Sequence, residues 1–349
     1  MPLTTTTQIA GPVNRVFQQN LLRNAKAVCP YFVGTVAAEI ESHRGTFTAV
    51  WRRIGNLTAV TTALTELTGS VTFPTRTAVQ LSVTDTTAVL AKYGNFVYLN
   101  EETDLINFNG QMEKITEILG INAGVSLNRL QRNIGEDSFT AFLTGSATTA
   151  TGIGGSPTAS GFVKRSEMAA VINTLNRNMA LQFRPQTTGS QNVGSTPIRA
   201  SMIGICHSDT EEDVRTLTGF NSVETYAGQT ATYLGEFGHA GGIRFIATPE
   251  SSIDATTGVA ATGSSTTPGR MTATRYDVYN TLIYGQDAVG SLGFGAEHVK
   301  EIYMAGDKLP TVQMINHARG SAGAGDPYNE VSSHGWKAWH AGVVLNGDW

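Results

Sequence analysis

The chain has 349 residues, with 24 Lys and Arg against 28 Asp and Glu and a formal net charge of −4, so its surface as a whole is not built to attract nucleic acid, which requires clustered cations. Charged residues make up 15% of the sequence, against about 25% in ordinary soluble domains, and glycine and threonine are heavily used. That balance suits a surface hidden against neighbours, or a secreted β-rich protein. The length allows two domains or one elaborate one, and the two distant cysteines, Cys29 and Cys206, read as buried thiols and not as a disulfide scaffold.

The opening residues show no basic start followed by an apolar core, and no run is apolar enough to span a bilayer, so synthesis and residence in a cytoplasm are expected. A polar, Thr-rich lead precedes a predicted helix around Val13–Ala27, with Val13, Phe17 and Leu21 at helical spacing. From Tyr31 the pattern turns β-like. Thr46–Ile54 is rich in β-branched and aromatic residues between Gly45 and Gly55; Val71-Thr72-Phe73 and Thr77–Val83 flank Pro74, and together these runs predict a long two-stranded excursion.

Leu105, Phe108, Met112, Ile115, Leu119, Ala123, Leu127, Leu130 and Ile134 recur at spacings of three and four, which stacks them on one face of a helix. Thr103 or Asp104 is a candidate cap. Such a helix of roughly 30 residues is about 45 Å long, so something extended must lie along it. Residues 145–161, small and unpatterned, form a loop or junction. A second unit follows. It comprises a helix over Ser166–Phe183, capped by Ser166 and stopped by Pro185; a mobile stretch, Gln186–Gly194; a strand, Ser201–Cys206; and a helix, Asp209–Leu217, whose first turn carries Glu211, Glu212 and Asp213. After a loop at Asp254–Gly269 come a helix or strand at Asp277–Leu282 and a closing β-like region from Val299 to Leu345, which returns the chain to the first unit.

Motifs for chemistry are missing or incomplete. Gly152-Ile153-Gly154-Gly155-Ser156-Pro157 lacks the Gly-Lys-Ser/Thr ending of a phosphate cradle. Gly320-Ser321-Ala322-Gly323-Ala324-Gly325 runs into Asp326-Pro327, not into a helix. No Gly-x-Ser-x-Gly elbow occurs. Cys206, His207 and Asp209 are metal-ligand types, but without separated ligand pairs they read as a capped helix start beside a buried thiol. His334 and His340, six apart, read as two partly solvated side chains. No catalytic, cofactor-binding or metal-binding residue is therefore assigned. Trp51 beside Arg52 and Arg53 fits a protein interface better than a nucleic-acid contact, since Trp and Arg are enriched at interfaces.

The order of several short motifs resembles one family. Arg44-Gly45 through Trp51-Arg52-Arg53, Leu64-Thr65-Glu66 and Lys92-Tyr93-Gly94 are similar to the first half of the major capsid proteins typified by coliphage N-four. The second half continues with His207, Asp213-Val214-Arg215, Gly235-Glu236-Phe237-Gly238, Gly242-Ile243-Arg244-Phe245, Asp277-Val278-Tyr279, Tyr284-Gly285-Gln286-Asp287-Ala288, Asp326-Pro327-Tyr328, Gly335-Trp336-Lys337 and Val344-Leu345-Asn346. The resemblance spans about Gly34 to Asn346; Ser208 departs from it, standing where the family commonly has proline.

The resemblance implies an α+β fold of the Hong Kong 97 phage capsid type. Its parts fall as an N-terminal arm (1–38), an extended loop (39–78), a peripheral domain with a spine helix (79–160 and 299–349) and an axial domain (161–298). It also implies a structural role without enzymatic activity: self-assembly into hexamers and pentamers that form an icosahedral head shell around packaged double-stranded DNA. No cofactor is implied, and no membrane. Partners are further copies of the chain, with portal, scaffolding and possible decoration proteins as separate chains; DNA contact is incidental, and the location is the virion, assembled in the host cytoplasm. Family-like features begin soon after Met1, so a built-in scaffolding domain is not expected, and residues 39–78 contain no lysine for a covalent cross-link. For that role, Trp51, Arg52, Arg53 and Glu66 are the expected inter-subunit contacts. Gly235 and Gly238 are expected to set a tight hairpin at positive φ, with Glu236 pairing Arg244. A secreted or surface β-rich adhesin is the alternative, and it predicts a signal segment.

Overall fold

A computed structural model describes residues 21, 29–38, 48–54, 57, 61, 80–106, 111–145, 147–154, 161–183, 186–190, 193–225, 233–260, 271–272, 275–292, 312–321 and 325–349. Of the predicted arm helix only Leu21 falls within them, helical and fully buried. Glu66 and Val71–Phe73 lie outside the described residues.

Strand β1 (Val36–Ala37) follows a 3-10 turn at Pro30–Phe32. β2 (Thr48–Ile54) and β3 (Val83–Val89) form an antiparallel ribbon in which Thr48 faces Val89 and Ile54 faces Val83. The partner of the first run therefore begins at the residue where the predicted third run ends, because Thr84–Val89 is itself rich in β-branched residues. β4 (Ala91–Asn100) leads into α1 (Glu101–Ile106) and α2 (Gln111–Ser138). Helix α1 starts two residues before Thr103: the Glu101 amide donates to the Glu330 carbonyl at 2.9 Å, and this tertiary bond replaces the expected side-chain cap.

Helix α3 (Arg165–Arg177) begins at Arg165, not after Ser166, since the Glu167 carboxylate accepts from the Lys164 amide at 3.0 Å. It ends well before Phe183. Met179 takes φ 55°, which halts the helix, and Phe183 instead bridges Ser201. The stretch expected to be mobile pairs as a hairpin of β5 (Gln186–Ser190) and β6 (Val193–Ile198). β7 (Met202–His207) and a 3-10 turn precede the short α4 (Glu211–Arg215).

The remaining strands are β8 (Asn221–Ser222), β9 (Glu236–Ala240), β10 (Ile243–Thr248), β11 (Ile253–Asp254), β12 (Met271–Thr272), β13 (Arg275–Tyr276), β14 (Val278–Tyr279), β15 (Leu282–Tyr284), β16 (Val289–Ser291), β17 (Val312–His317), β18 (Val331–His340) and β19 (Gly342–Val344). The segment left open between helix and strand at Asp277–Leu282 is thus extended.

Two sheets organise the molecule. The five-stranded sheet runs β15-β7-β10-β9-β8, with β7 and β10 parallel and the other pairs antiparallel. Every residue of β7 is buried, because both faces are covered. Met168 of α3 and Val214 of α4 pack with Cys206, Phe237 and Phe245 on one side; Tyr31, Phe183 and Tyr284 pack with Ile203, Ile205 and Ile246 on the other. Burying each such large side chain is worth about 1.5–3 kcal/mol.

The three-stranded sheet runs β17-β18-β4, all antiparallel. Leu119, Ala123 and Leu127 of α2 pack on Val312, Trp336 and Ala338, so the extended partner that the helix length demanded is this sheet. A third, smaller sheet joins β1, β16 and β19. Helices combined with mixed and antiparallel sheets make the chain α+β.

Candidate functional site

The β2–β3 ribbon divides its residues by face. Trp51 turns inward: its indole Nε1 donates to the Val36 carbonyl at 3.1 Å, and it is 5% exposed among Ala38, Ala49, Leu90, Leu292 and Ala341. A Cβ on Gly290 would sit 2.6 Å from the indole, so β16 can pass only without a side chain. This corrects the expectation that Trp51 contacts another subunit, for a side chain so enclosed has no surface left to offer. Trp beside two arginines reads as surface when the strand's inner neighbour is unknown; that neighbour is β16, more than two hundred residues away.

Arg52 points outward. Its guanidinium makes a two-pronged pair with Asp85 across the ribbon, Nε to Oδ1 at 2.8 Å and Nη2 to Oδ2 at 3.0 Å, with Arg52 67% and Asp85 41% exposed. The Arg52 hydrogen bond holds the Asp85 carboxyl below its usual range. Arg53 sits 5.7 Å from the centre of the Trp349 ring. Around them Val50, Ile54 and Val83 are exposed. Asp85 lies just beyond the predicted third run, and only the observed register of β2 on β3 brings it opposite Arg52.

In the five-stranded sheet, Glu236 and Arg244 meet inside the protein. Arg244 Nε donates to Glu236 Oε1 at 2.8 Å and Nη2 to Oε2 at 2.5 Å, with both side chains almost fully enclosed. The Tyr233 amide donates to Glu236 Oε2 at 3.0 Å, and the Tyr233 ring lies 4.4 Å from the guanidinium carbon. The expected turn is relocated. Gly235 does take φ +81°, but Gly238 lies within β9, and the β9–β10 hairpin turns at Gly241 and Gly242, with φ +66° and +93°. Gly238 is needed for space instead: a Cβ there would come within 2.2 Å of Phe220 and 2.6 Å of the Asn221 carbonyl.

The residues with chemical potential are engaged in packing. His207 Nδ1 accepts from the Asp209 amide at 3.1 Å and caps the 3-10 turn, while Tyr279 donates to Asp209 Oδ2 at 3.1 Å. His334 and His340 are buried, not partly solvated, because β18 is covered over most of its length. His334 Nδ1 lies 3.2 Å from Asn316 Oδ1, and His340 Nε2 lies 3.2 Å from Gln131 Oε1. Burial lowers the His340 pKa to about 4 and raises the Cys29 and Cys206 thiols to about 12. Among the described residues no three His, Cys, Asp or Glu side chains converge as metal ligands, and no helix is long and apolar enough to cross a membrane.

Helix α2 also carries polar residues that periodicity does not single out. Asn122 Oδ1 accepts from the Trp336 indole at 2.9 Å, Asn128 Oδ1 from the Tyr31 amide at 3.1 Å, and the Gly124 carbonyl from the Cys29 thiol at 3.3 Å. These bonds fix the helix's register against β18 and the segment before β1.

No protein-family model matches the chain, and no curated protein does. Solved structures match across nearly its whole length. The capsid of Ralstonia phage GP4 aligns with a TM-score of 0.53 at 10% identity, covering 90% of this chain and 81% of that one. The head structure of Helicobacter pylori bacteriophage KHP40 aligns with a TM-score of 0.50 at 12% identity, covering 91% and 85%. At these identities the likeness is one of fold: the α+β architecture described above is shared with these phage proteins.

Proposed function

We propose that the chain is a shell subunit, a protein whose work is to associate with copies of itself. More particularly, it serves as the major capsid protein of a tailed phage, of the kind typified by coliphage N-four and with the Hong Kong 97 fold. The observation that carries this reading is a fold shared with phage capsid and head structures over about nine-tenths of the chain. The ordered motifs from Arg44 to Asn346 support it independently.

In this reading residues 1–38 are the arm, 39–78 the extended loop, 79–160 with 299–349 the peripheral domain built on α2, and 161–298 the axial domain around the five-stranded sheet. Subunits join as hexamers and pentamers into a shell around double-stranded DNA in the virion. Contacts of this kind are heterologous, and they close into rings when the rotation between neighbours permits. Arg52, Arg53 and Glu66 are the charged contacts between subunits in this proposal; the outward position of Arg52 and its apolar surround of Val50, Ile54 and Val83 suit it to that task. Trp51 is not among them.

Electron microscopy of the expressed chain is the test. Closed shells, rings or capsomers are the expected result. A strictly monomeric protein at high concentration overturns the reading.

A further inference from the structure

Two arginines one turn apart on α2 grip a single residue of the five-stranded sheet. Arg129 Nε donates to Glu250 Oε2 at 2.5 Å, and Arg132 Nη1 donates to the Glu250 main-chain carbonyl at 2.7 Å. Glu250 lies in the turn after β10, and that turn is stiffened from the sheet side. Its amide approaches Thr248 Oγ1 at 3.3 Å, Ser251 Oγ donates to the Asn280 carbonyl at 2.8 Å, and Asn280 Nδ2 donates to Ser252 Oγ at 2.9 Å and to Asp254 Oδ2 at 3.1 Å. The turn is a rigid handle on the sheet. Its attachment to the helix is charged and partly open to solvent, with Arg129 57% exposed.

Less than one turn further along α2 the contact changes character. A Cβ on Gly135 would meet Leu282 Cδ1 at 3.1 Å, so the Leu282 side chain of β15 rests directly on the helix backbone where the helix has no side chain of its own. The Phe139 and Tyr284 rings, 6.3 Å apart, continue this apolar contact. Next to Gly135, Glu136 Oε1 is buried and makes no hydrogen bond, but it pairs with Arg132, whose Nε lies 3.6 Å away. Buried polar atoms are nearly always hydrogen-bonded. At Glu136 the joint thus has an ion pair to Arg132 within the helix and no hydrogen bond from Oε1 to the sheet.

We propose that α2 and the five-stranded sheet meet in a charge-gated hinge. Gly135 on Leu282 is the pivot, and Arg129 and Arg132 on Glu250 form the latch that sets the angle between helix and sheet. Salt weakens partly exposed charge pairs and leaves apolar contacts in place. Raising ionic strength thus loosens one side of the joint and not the other. The proposal stands whether or not the chain builds shells.

Hydrogen exchange of the full chain at about 0.05 M and about 1 M NaCl tests it, because the Debye length falls severalfold over that range. Amides of residues 249–252 and 129–139 are expected to exchange roughly tenfold faster at high salt, the scale of a lost charge-assisted hydrogen bond. Amides of β7 and β10 are expected to stay protected. Glu250→Gln keeps the carbonyl that Arg132 uses but removes the charge; it should give the fast exchange already at low salt and lose most of the salt response. Arg129→Gln, at an exposed position, should do the same in part. No salt response in residues 249–252 overturns the hinge, as does equal loosening of β7. If Glu250→Gln does not fold, the salt series on the unaltered chain and on Arg129→Gln still decides.

Discussion

Glu236 and Arg244 close a two-pronged ion pair across the β9–β10 hairpin, at 2.8 and 2.5 Å, in a position almost sealed from water. Removing one partner leaves a buried, uncompensated charge, which costs far more than the pair contributes to stability. Glu236→Ala is therefore expected to destabilise the fold by about 3–5 kcal/mol. Replacing both by apolar residues of similar volume is expected to cost much less. Urea unfolding midpoints of the two single variants and the double variant check this.

Trp51 and Arg52 are adjacent in sequence and predict opposite behaviour. Trp51→Ala empties a site enclosed by five buried residues, and about 3–5 kcal/mol of folding stability should go with it. Arg52→Ala removes an exposed pair and should barely move the unfolding midpoint. If Arg52 serves between subunits, its loss appears in the yield of assembled particles. A large fall in monomer stability with Arg52→Ala would contradict the exposed geometry.

His340 makes the fold sensitive to acid. Its imidazole has a pKa of about 4 when buried, against about 6.5 when unfolded. Below the unfolded value the open chain binds a proton that the folded chain resists, so stability falls as pH drops from about 6.5 to about 4 and then levels off, by about 3 kcal/mol in all. Carboxylates such as Asp85, lowered by its pairing with Arg52, lose their contribution at lower pH. The His340 share is the difference between the unaltered chain and His340→Gln. A parallel pair of stability curves between pH 6.5 and 4 would count against it.

Cys29 and Cys206 are buried, with thiols raised to about 12. At pH 8 neither presents a thiolate, so a thiol reagent should label the native protein slowly and modify both cysteines once urea unfolds it. Rapid native labelling of either residue would show that its cover opens locally.

Much of this molecule can be read from sequence where one periodicity dominates. The spacing of Leu119, Ala123 and Leu127 gives the buried face of α2 directly, and the length of the helix calls for the long partner that β4 and β18 supply. Glu236 and Arg244 are also legible, since a hairpin between them brings two opposite charges together. Other assignments fail for one shared reason: they depend on segments distant in the chain. Trp51 is inward because Val36 and Gly290 are there, and His340 is dry because Gln131, Phe32 and Tyr93 surround it. Gly238 looks like a turn residue, but its requirement is set by Phe220. Local propensity carries no trace of such neighbours.

The small sheet joins β1 to β16 and β16 to β19, with Val36 opposite Gly290 and Val289 opposite Val344. Pairings between such distant residues form late, because the loop must close before any contact repays the lost chain entropy. β1 therefore stays without this neighbour until β16 reaches it, and β16 keeps an open edge until β19 pairs with it. Docking of β19 is thus the step that closes the open edge of β16.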